Sequence, residues 1–360
     1  MNKEYERRER RRQGTSKKYK VRYDRIAAAV LVLIVLIVIP ASCMKSCKEG
    51  KKDSKKKSSD SASVSGSSNN SNASGTNSGS TIIDNLIISD ETNSLLTSSE
   101  LSAASDYPFT SENYSTTDLS CGSLILVNLS NQYTFPEADA TPVTLYDNIK
   151  TEYYSVSDYV MRLDSDVIDH LNSLMEAFYN ETGNTDIMII GGFRTLEDQN
   201  DKYYSGNSKY KGGYTDYHTA RSFDMGIFPK DGSSHGFYSP TGVYSWIDEH
   251  AADYGFIVRY PEGKEYFTCD VPRSQTYRYV GVPHAQYIKE NNLCLEEYIL
   301  NIKEYNNTAP LEIKVGSKLY HVYYVPASAG DNTAVTVPAN KTYTVSGNNS
   351  DGFIVTVSVI

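Results

Sequence analysis

Apolar and polar positions change their rhythm several times along this chain. Ile26 to Met44 is a run of 19 residues without a charge. At about 1.5 Å per residue it is long enough to cross a hydrocarbon core of roughly 30 Å, so it predicts one membrane-spanning helix. Gly50 to Ser80 is Ser, Asn, Lys, Gly and Asp with almost nothing apolar, a composition that predicts a solvated tether. From Thr81 to Ser120 apolar residues are sparse (IIDNLII, SLL), which predicts weak order.

Denser patterning begins near Ser123, where LILVNL reads as a buried strand. Val167, Ile168, Leu171, Leu174, Met175 and Phe178 recur at helical spacing and predict a core helix capped by Asp164 or Ser165, with His170 off the stripe. Ile187–Ile190 reads as a strand, Thr195–Tyr204 as a helix, and Ser222–Phe228 as a second strand. Trp246–Tyr254 is helical with Trp246 in the core, Phe256–Arg259 and Tyr277–Val280 are strands, and Pro283–Glu290 and Leu295–Tyr305 are helices. From Leu311 the runs LEIKV, YHVYYV, AVTV, YTVSG and FIVTVSV alternate, separated by turn residues. They predict an all-β module of about 50 residues, too small to be secure alone and expected to pack on the preceding domain.

These rhythms divide the 360 residues into a basic tail (1–25), a membrane helix (26–44), a tether with a weakly ordered extension (45–120), a mixed domain (121–306) and the β module (307–360). Charge sharpens the division. The first 25 residues hold 11 Lys and Arg against 4 acids, while the whole chain is at -9, leaving the rest with 24 against 40. An acidic folded part excludes a nucleic-acid partner, which needs a basic footprint. The basic tail against 7 Lys in Lys45–Lys57 places the N-terminus inside and the C-terminal domain outside a single-pass anchor. A lipoprotein signal ending at Cys43 is the rival reading, weakened by Pro40 and the long charged leader. The remaining cysteines, Cys47, Cys121, Cys269 and Cys294, show no metal-like spacing.

Candidate chemistry gathers between Ile187 and Asp224. A buried strand ending in Gly191-Gly192-Phe193-Arg194 presents a cation at a sheet rim, where an anionic group could be met. His218 and Asp224 follow on a loop and the strand after it, the kind of pairing that builds divalent-metal sites. The 30 tyrosines suit either a surface that stacks on sugars or a generally amphipathic one.

Taken together, GGFRT with Gln199, GGYTDYHTARSFDMG, YGFIVRYPEGKEYFT, YRYVGVPHAQYI and LEEYI resemble the VanY-type D-alanyl-D-alanine carboxypeptidases, from about Gly122 to Tyr305. The resemblance implies an α+β fold, a zinc DD-carboxypeptidase-like core with a small antiparallel sheet, here followed by the all-β module. It also implies peptidoglycan stem peptides as ligand and zinc as cofactor. Against the family's SxHxxGxAxD, Thr215 falls on Ser, Tyr217 on the ligand His, Ala220 on Gly, Ser222 on Ala and Asp224 on the ligand Asp. Against TGxxYEPWHFRYVG, Arg273 falls on the general base Glu and Thr276 on the third ligand His.

Two of three ligands and the base are therefore replaced. Arginine cannot take a proton from water, and at about 5 Å and a dielectric of about 20 it would repel a dication by roughly 6 to 7 kcal/mol. The reading that follows is a binding module without zinc. Arg194, Gln199, Thr215, Tyr217, Asp224, Arg273 and Thr276 would meet a stem peptide, and an Arg273–Asp224 salt bridge would stand in for the metal. The alternative is an active zinc carboxypeptidase with a shifted ligand set of His218, Asp224 and His284. A third reading assigns binding to the β module itself.

Overall fold

A computed structural model describes residues 107–137 and 139–360, together with a ribbon of β1 (Leu86–Ile88) and β2 (Leu95–Thr97). The basic tail, the apolar run 26–44 and the tether up to residue 106 otherwise lie outside the described residues. Among the described residues no helix is long and apolar enough to cross a membrane.

The chain then forms β3 (Phe109–Ser115), β4 (Pro142–Thr144), β5 (Ser155–Val156), β6 (Arg162–Asp164) and α1 (Ser165–Thr182). α1 is the predicted core helix. Asp164 caps it by accepting the Asp166 N–H, and Gly183, with φ of 68°, ends it in the left-handed region that glycine adopts without penalty. Its apolar stripe from Val167 to Phe178 is fully buried against Ile187, Ile189, Phe223, Met225 and Tyr277. Burial at about 1.5 to 3 kcal/mol per large side chain makes this the main attachment of helix to sheet.

Next come β7 (Ile187–Gly191), α2 (Leu196–Tyr204), β8 (Ser222–Ile227), β9 (Gly236–Phe237), α3 (Ser245–His250) and β10 (Phe256–Tyr260). A short α4 (Glu265–Thr268), β11 (Arg273–Tyr279), α5 (Val282–Glu290) and α6 (Leu295–Ile302) complete the mixed part. The main sheet runs β10-β11-β8-β7-β5, with β9 on β8, and only β5–β7 is parallel. This is the α+β core with a small, mostly antiparallel sheet that the sequence implied.

The module that follows has β12 (Leu311–Val315), β13 (Lys318–Pro326), β14 (Asn332–Pro338), β15 (Thr342–Gly347) and β16 (Gly352–Ser358). Four of these form a sheet, β12-β13-β16-β15. β14 leaves it and pairs with β3, from Phe109 opposite Pro338 to Ser115 opposite Asn332. Tyr107, Leu319, Tyr323, Val335, Val337, Phe353 and Val355 fill the space between. Phe109–Ser120, expected to be weakly ordered, is therefore structural, and the module is built from both ends of the described chain. Its isolated pattern of alternating Thr, Ser and Tyr was too polar to announce a strand.

A second correction concerns LILVNL. Leu124, Ile125 and Val127 are buried, yet the segment is an irregular connector outside any sheet. Side chains and loops replace the ladder: the Arg278 guanidinium donates to the carbonyls of Ser123 and Ile125, and the Leu124 N–H donates to Ser346 Oγ. Leu124 and Leu126 join Ile257, Val280, Ile299, Leu311, Val322 and Ile354 in one cluster shared by the mixed domain and the module, as the module's small size required.

Candidate functional site

β8 sits at the centre of the sheet, and Asp224 lies in its middle, paired with Gly191 of β7 on one side and Thr276 of β11 on the other. A Cβ on Gly191 would stand 2.8 Å from Asp224 Oδ2, so glycine there is what lets the carboxylate lie flat across the strand. Tyr217 approaches from the turn Asp216–Thr219. Its phenol oxygen lies 2.7 and 2.8 Å from the two Asp224 oxygens, and Thr276 Oγ1 donates to Asp224 Oδ1 at 2.6 Å. The structure thus brings Tyr217, Asp224 and Thr276 to one point.

The turn that delivers Tyr217 ends at Ala220, whose φ of 58° is left-handed. A side chain there costs roughly 1 kcal/mol relative to glycine. Ala220→Gly is expected to stabilise the fold by up to about 1 kcal/mol, read as a higher urea midpoint; a lower midpoint would show that the turn is not strained.

The turn is anchored from below by a buried charge network. Arg278 Nη1 donates to Asp216 Oδ1 at 2.6 Å, Ser222 Oγ donates to Asp216 Oδ2, and Arg259 Nε lies 3.5 Å from Asp216 Oδ2. Arg259 in turn makes a two-pronged pair with Glu296, at 3.0 and 2.8 Å. Burial alone would raise the Asp216 carboxyl, but Arg278 and Arg259 outweigh it and hold it below the usual carboxylate range. Arg221 repeats the device with Asp139, at 3.1 and 2.9 Å. None of these arginine–carboxylate pairings was visible in spacing along the chain, since each joins residues far apart. The only hint was an arginine inside the apolar runs FIVRY and YRYV.

Arg194 leaves β7 at the rim of this cluster. Its guanidinium carbon stacks 3.9 Å above the Tyr217 ring and its Nη1 donates to Gln199 Oε1 at 3.1 Å. Among the described residues it makes no ion pair, so most of its donors stay open. Gln199 is fully buried, and its Nε2 is spent on Ser208 Oγ and the Tyr210 carbonyl. It positions Arg194 and has no face toward a ligand. Thr215 is likewise buried and gives only its carbonyl, to the His218 N–H.

The expected Arg273–Asp224 salt bridge is not what forms. Arg273 Nη2 pairs with Asp270 Oδ2 at 2.7 Å and its guanidinium lies 4.0 Å over the Tyr260 ring, while Asp224 is satisfied by two hydroxyls. Lys209 takes the other Asp270 oxygen at 2.5 Å, and the buried Arg273 Nε has no partner among the described residues. Lys209 and Arg273 thus share the single carboxylate of Asp270. Asp270, Lys209 and Tyr260 were not singled out from the sequence, and only their proximity to Arg273 in the fold identifies them.

The shifted metal set also fails to assemble. His218 Nε2 accepts the Gly213 N–H at 2.9 Å, which puts the proton on Nδ1, facing the Arg194 carbonyl at 2.6 Å. Burial pushes its pKa down. His284 is held between Tyr298 Oη at 2.6 Å and Thr356 Oγ1 at 3.0 Å, and burial pushes it down to about 3. Both imidazoles are neutral struts with no free lone pair, and among the described residues no group of three His, Cys, Asp or Glu side chains is placed to hold a metal.

The zinc that the fold family implies can be tested against the donors that do converge. Asp224 is a good ligand, but Thr276 offers a neutral alcohol. The Tyr217 phenol is pushed well above its ordinary range by burial and by the Asp224 charge, so it stays protonated. A zinc site wants three basic N, O or S ligands and one open position. One carboxylate already accepting from two hydroxyls does not fit it.

Residues 160–282 match the VanY family, described as D-alanyl-D-alanine carboxypeptidase. A D-alanyl-D-alanine carboxypeptidase of Enterococcus faecium is 36% identical over 177 residues, covering 49% of this chain and 55% of that protein, so the chain spans about half the length of this relative. Among solved structures, the vancomycin-resistance D,D-dipeptidase VanXYg in complex with a D-Ala-D-Ala phosphinate analogue is 26% identical with a TM-score of 0.60, covering 70% of this chain and 99% of that one. A variant of the D,D-pentapeptidase VanY from a VanB-type cassette, in complex with Zn(II), is 25% identical over 49% of this chain and 98% of its own, with a TM-score of 0.38. The match to the VanY family thus lies in residues 160–282, on a fold shared with the D,D-dipeptidase VanXYg.

Proposed function

We propose that this VanY-family domain binds peptidoglycan stem peptides ending in D-Ala-D-Ala and releases them intact, without zinc-dependent hydrolysis. The observation that carries this reading is the Asp224 cluster, where a phenol and an alcohol stand in place of two imidazoles and donate protons to the carboxylate. The open donors of Arg194 supply the cation that a C-terminal carboxylate would meet. We further propose that the apolar run Ile26–Met44 anchors the protein in the cell membrane and that the domain faces outward on its tether, where such peptides are found.

The experiment is calorimetric titration of the full-length protein with a D-Ala-D-Ala-terminated pentapeptide, alongside a D-Ala release assay with added zinc. Binding without release is expected. Arg194→Ala is expected to weaken binding at least tenfold, about 1.4 kcal/mol, because a charge-assisted pair to the carboxylate is lost. Equal binding in both proteins would refute the carboxylate site. Zinc-dependent release of D-Ala would replace this reading with that of an active carboxypeptidase holding its metal on an unusual ligand set.

A further inference from the structure

Arg194 does not stand in an isolated pit. It lies in a groove of about 830 Å³ that runs past Gly191, Gly192 and Arg162 to Tyr159, Val160 and Asp158. That volume is at the upper end of ordinary ligand sites and far exceeds what a terminal dipeptide fills. The far part of the groove has a distinct chemistry. Tyr159 is 70% exposed, and its ring meets that of the 45% exposed Tyr146 in a T-shaped contact at 4.6 Å, which leaves aromatic surface open to solvent. Beside it stand Asp147 and Asp158. Neither makes an ion pair among the described residues, and the Asp158 carboxylate accepts only the Val160 N–H.

An exposed aromatic face flanked by unpaired carboxylate acceptors matches one kind of ligand group well. A pyranose ring lays its C–H face on the aromatic surface, and its hydroxyl and amide donors find the carboxylates. A cationic or purely apolar group would use one half of this arrangement and leave the other unsatisfied. We propose that the Tyr146–Tyr159 end of the groove is a saccharide subsite, so that the ligand is a stem peptide still attached to its glycan, with sugar at Tyr159 and carboxylate at Arg194. This deepens the reading above and rests on it for the position of the carboxylate.

The two parts can be tested separately in one titration series on the full-length protein. The sugar-free pentapeptide measures the Arg194 site alone. The same peptide carrying an N-acetylglucosaminyl-N-acetylmuramyl disaccharide measures both, and is expected to bind at least tenfold tighter. Tyr159→Ala is expected to bring the two ligands within about twofold of each other while leaving the sugar-free peptide unchanged. Tyr204→Ala, another highly exposed tyrosine that does not line the groove, is expected to keep the full difference. Equal affinity of the two ligands in the wild type, or a preference that survives Tyr159→Ala, would overturn the saccharide subsite and leave the carboxylate site standing. Loss of binding to the sugar-free peptide in Arg194→Ala, or its absence in the wild type, bears only on the carboxylate site.

Discussion

Replacing Asp216 by alanine is expected to destabilise the protein by about 3 to 5 kcal/mol, the usual consequence of leaving a buried charge without its partner. Arg278 and Arg259 are both fully buried, and Asp216 is the carboxylate they share. Arg259 would keep Glu296, but Arg278 would keep only backbone carbonyls. Guanidinium titration should show the loss as a large drop in midpoint. Asp224→Ala is the informative comparison, because it strands two hydroxyls and no charge, and should cost nearer 1 to 3 kcal/mol. Equal losses in the two variants would contradict the network. The pH dependence has a definite sign. A carboxyl whose folded pKa is lowered contributes stability above its unfolded pKa, and that contribution is lost as pH falls through the folded value. Wild-type stability should therefore fall below about pH 4 from this source, and the Asp216→Ala protein should lack that component.

Combining Tyr217→His, Thr276→His and Arg273→Glu is expected to create stoichiometric zinc binding with a Kd below about 1 µM, near 8 kcal/mol. Strand pairing holds position 276 opposite Asp224, and the 216–219 turn holds position 217 over it, so imidazoles there would close on the carboxylate. Cobalt substitution provides a direct readout, since a tetrahedral site with three protein ligands gives intense visible absorption. Tyr217→His alone should give none. A folded triple variant that takes up no metal would show that the backbone has drifted from the geometry a zinc site needs, and that the change of function goes deeper than three side chains.

How much of this was readable beforehand depended on the range of the interaction. Helix α1 announced itself because its stripe and its Asp164 cap are local. Tyr217, Asp224 and Thr276 could be placed together only through the family resemblance, whose spacing already encodes the pairing of β8 with β11. The partners of Arg273 could not be read that way. An arginine beside an aspartate three residues away and another across the strand can choose either, and the two hydroxyls at Asp224 settled the choice by satisfying it first. His218 and His284 looked like ligands because sequence shows the residue type and not what its nitrogens already touch. β3 was missed because it stays largely exposed and its hydrogen-bond partner is a strand more than 200 residues further on.

That last pairing fixes the order in which the protein can be finished. Phe109 meets Pro338, so a strand made early must wait, its edge bare, until nearly the whole chain has been synthesised. Contacts so distant in sequence close slowly. A shortened chain lacking Asn332–Pro338 would not yield a tidy, self-sufficient hydrolase-like half; it would leave Phe109–Ser115 as an orphan edge and invite self-association.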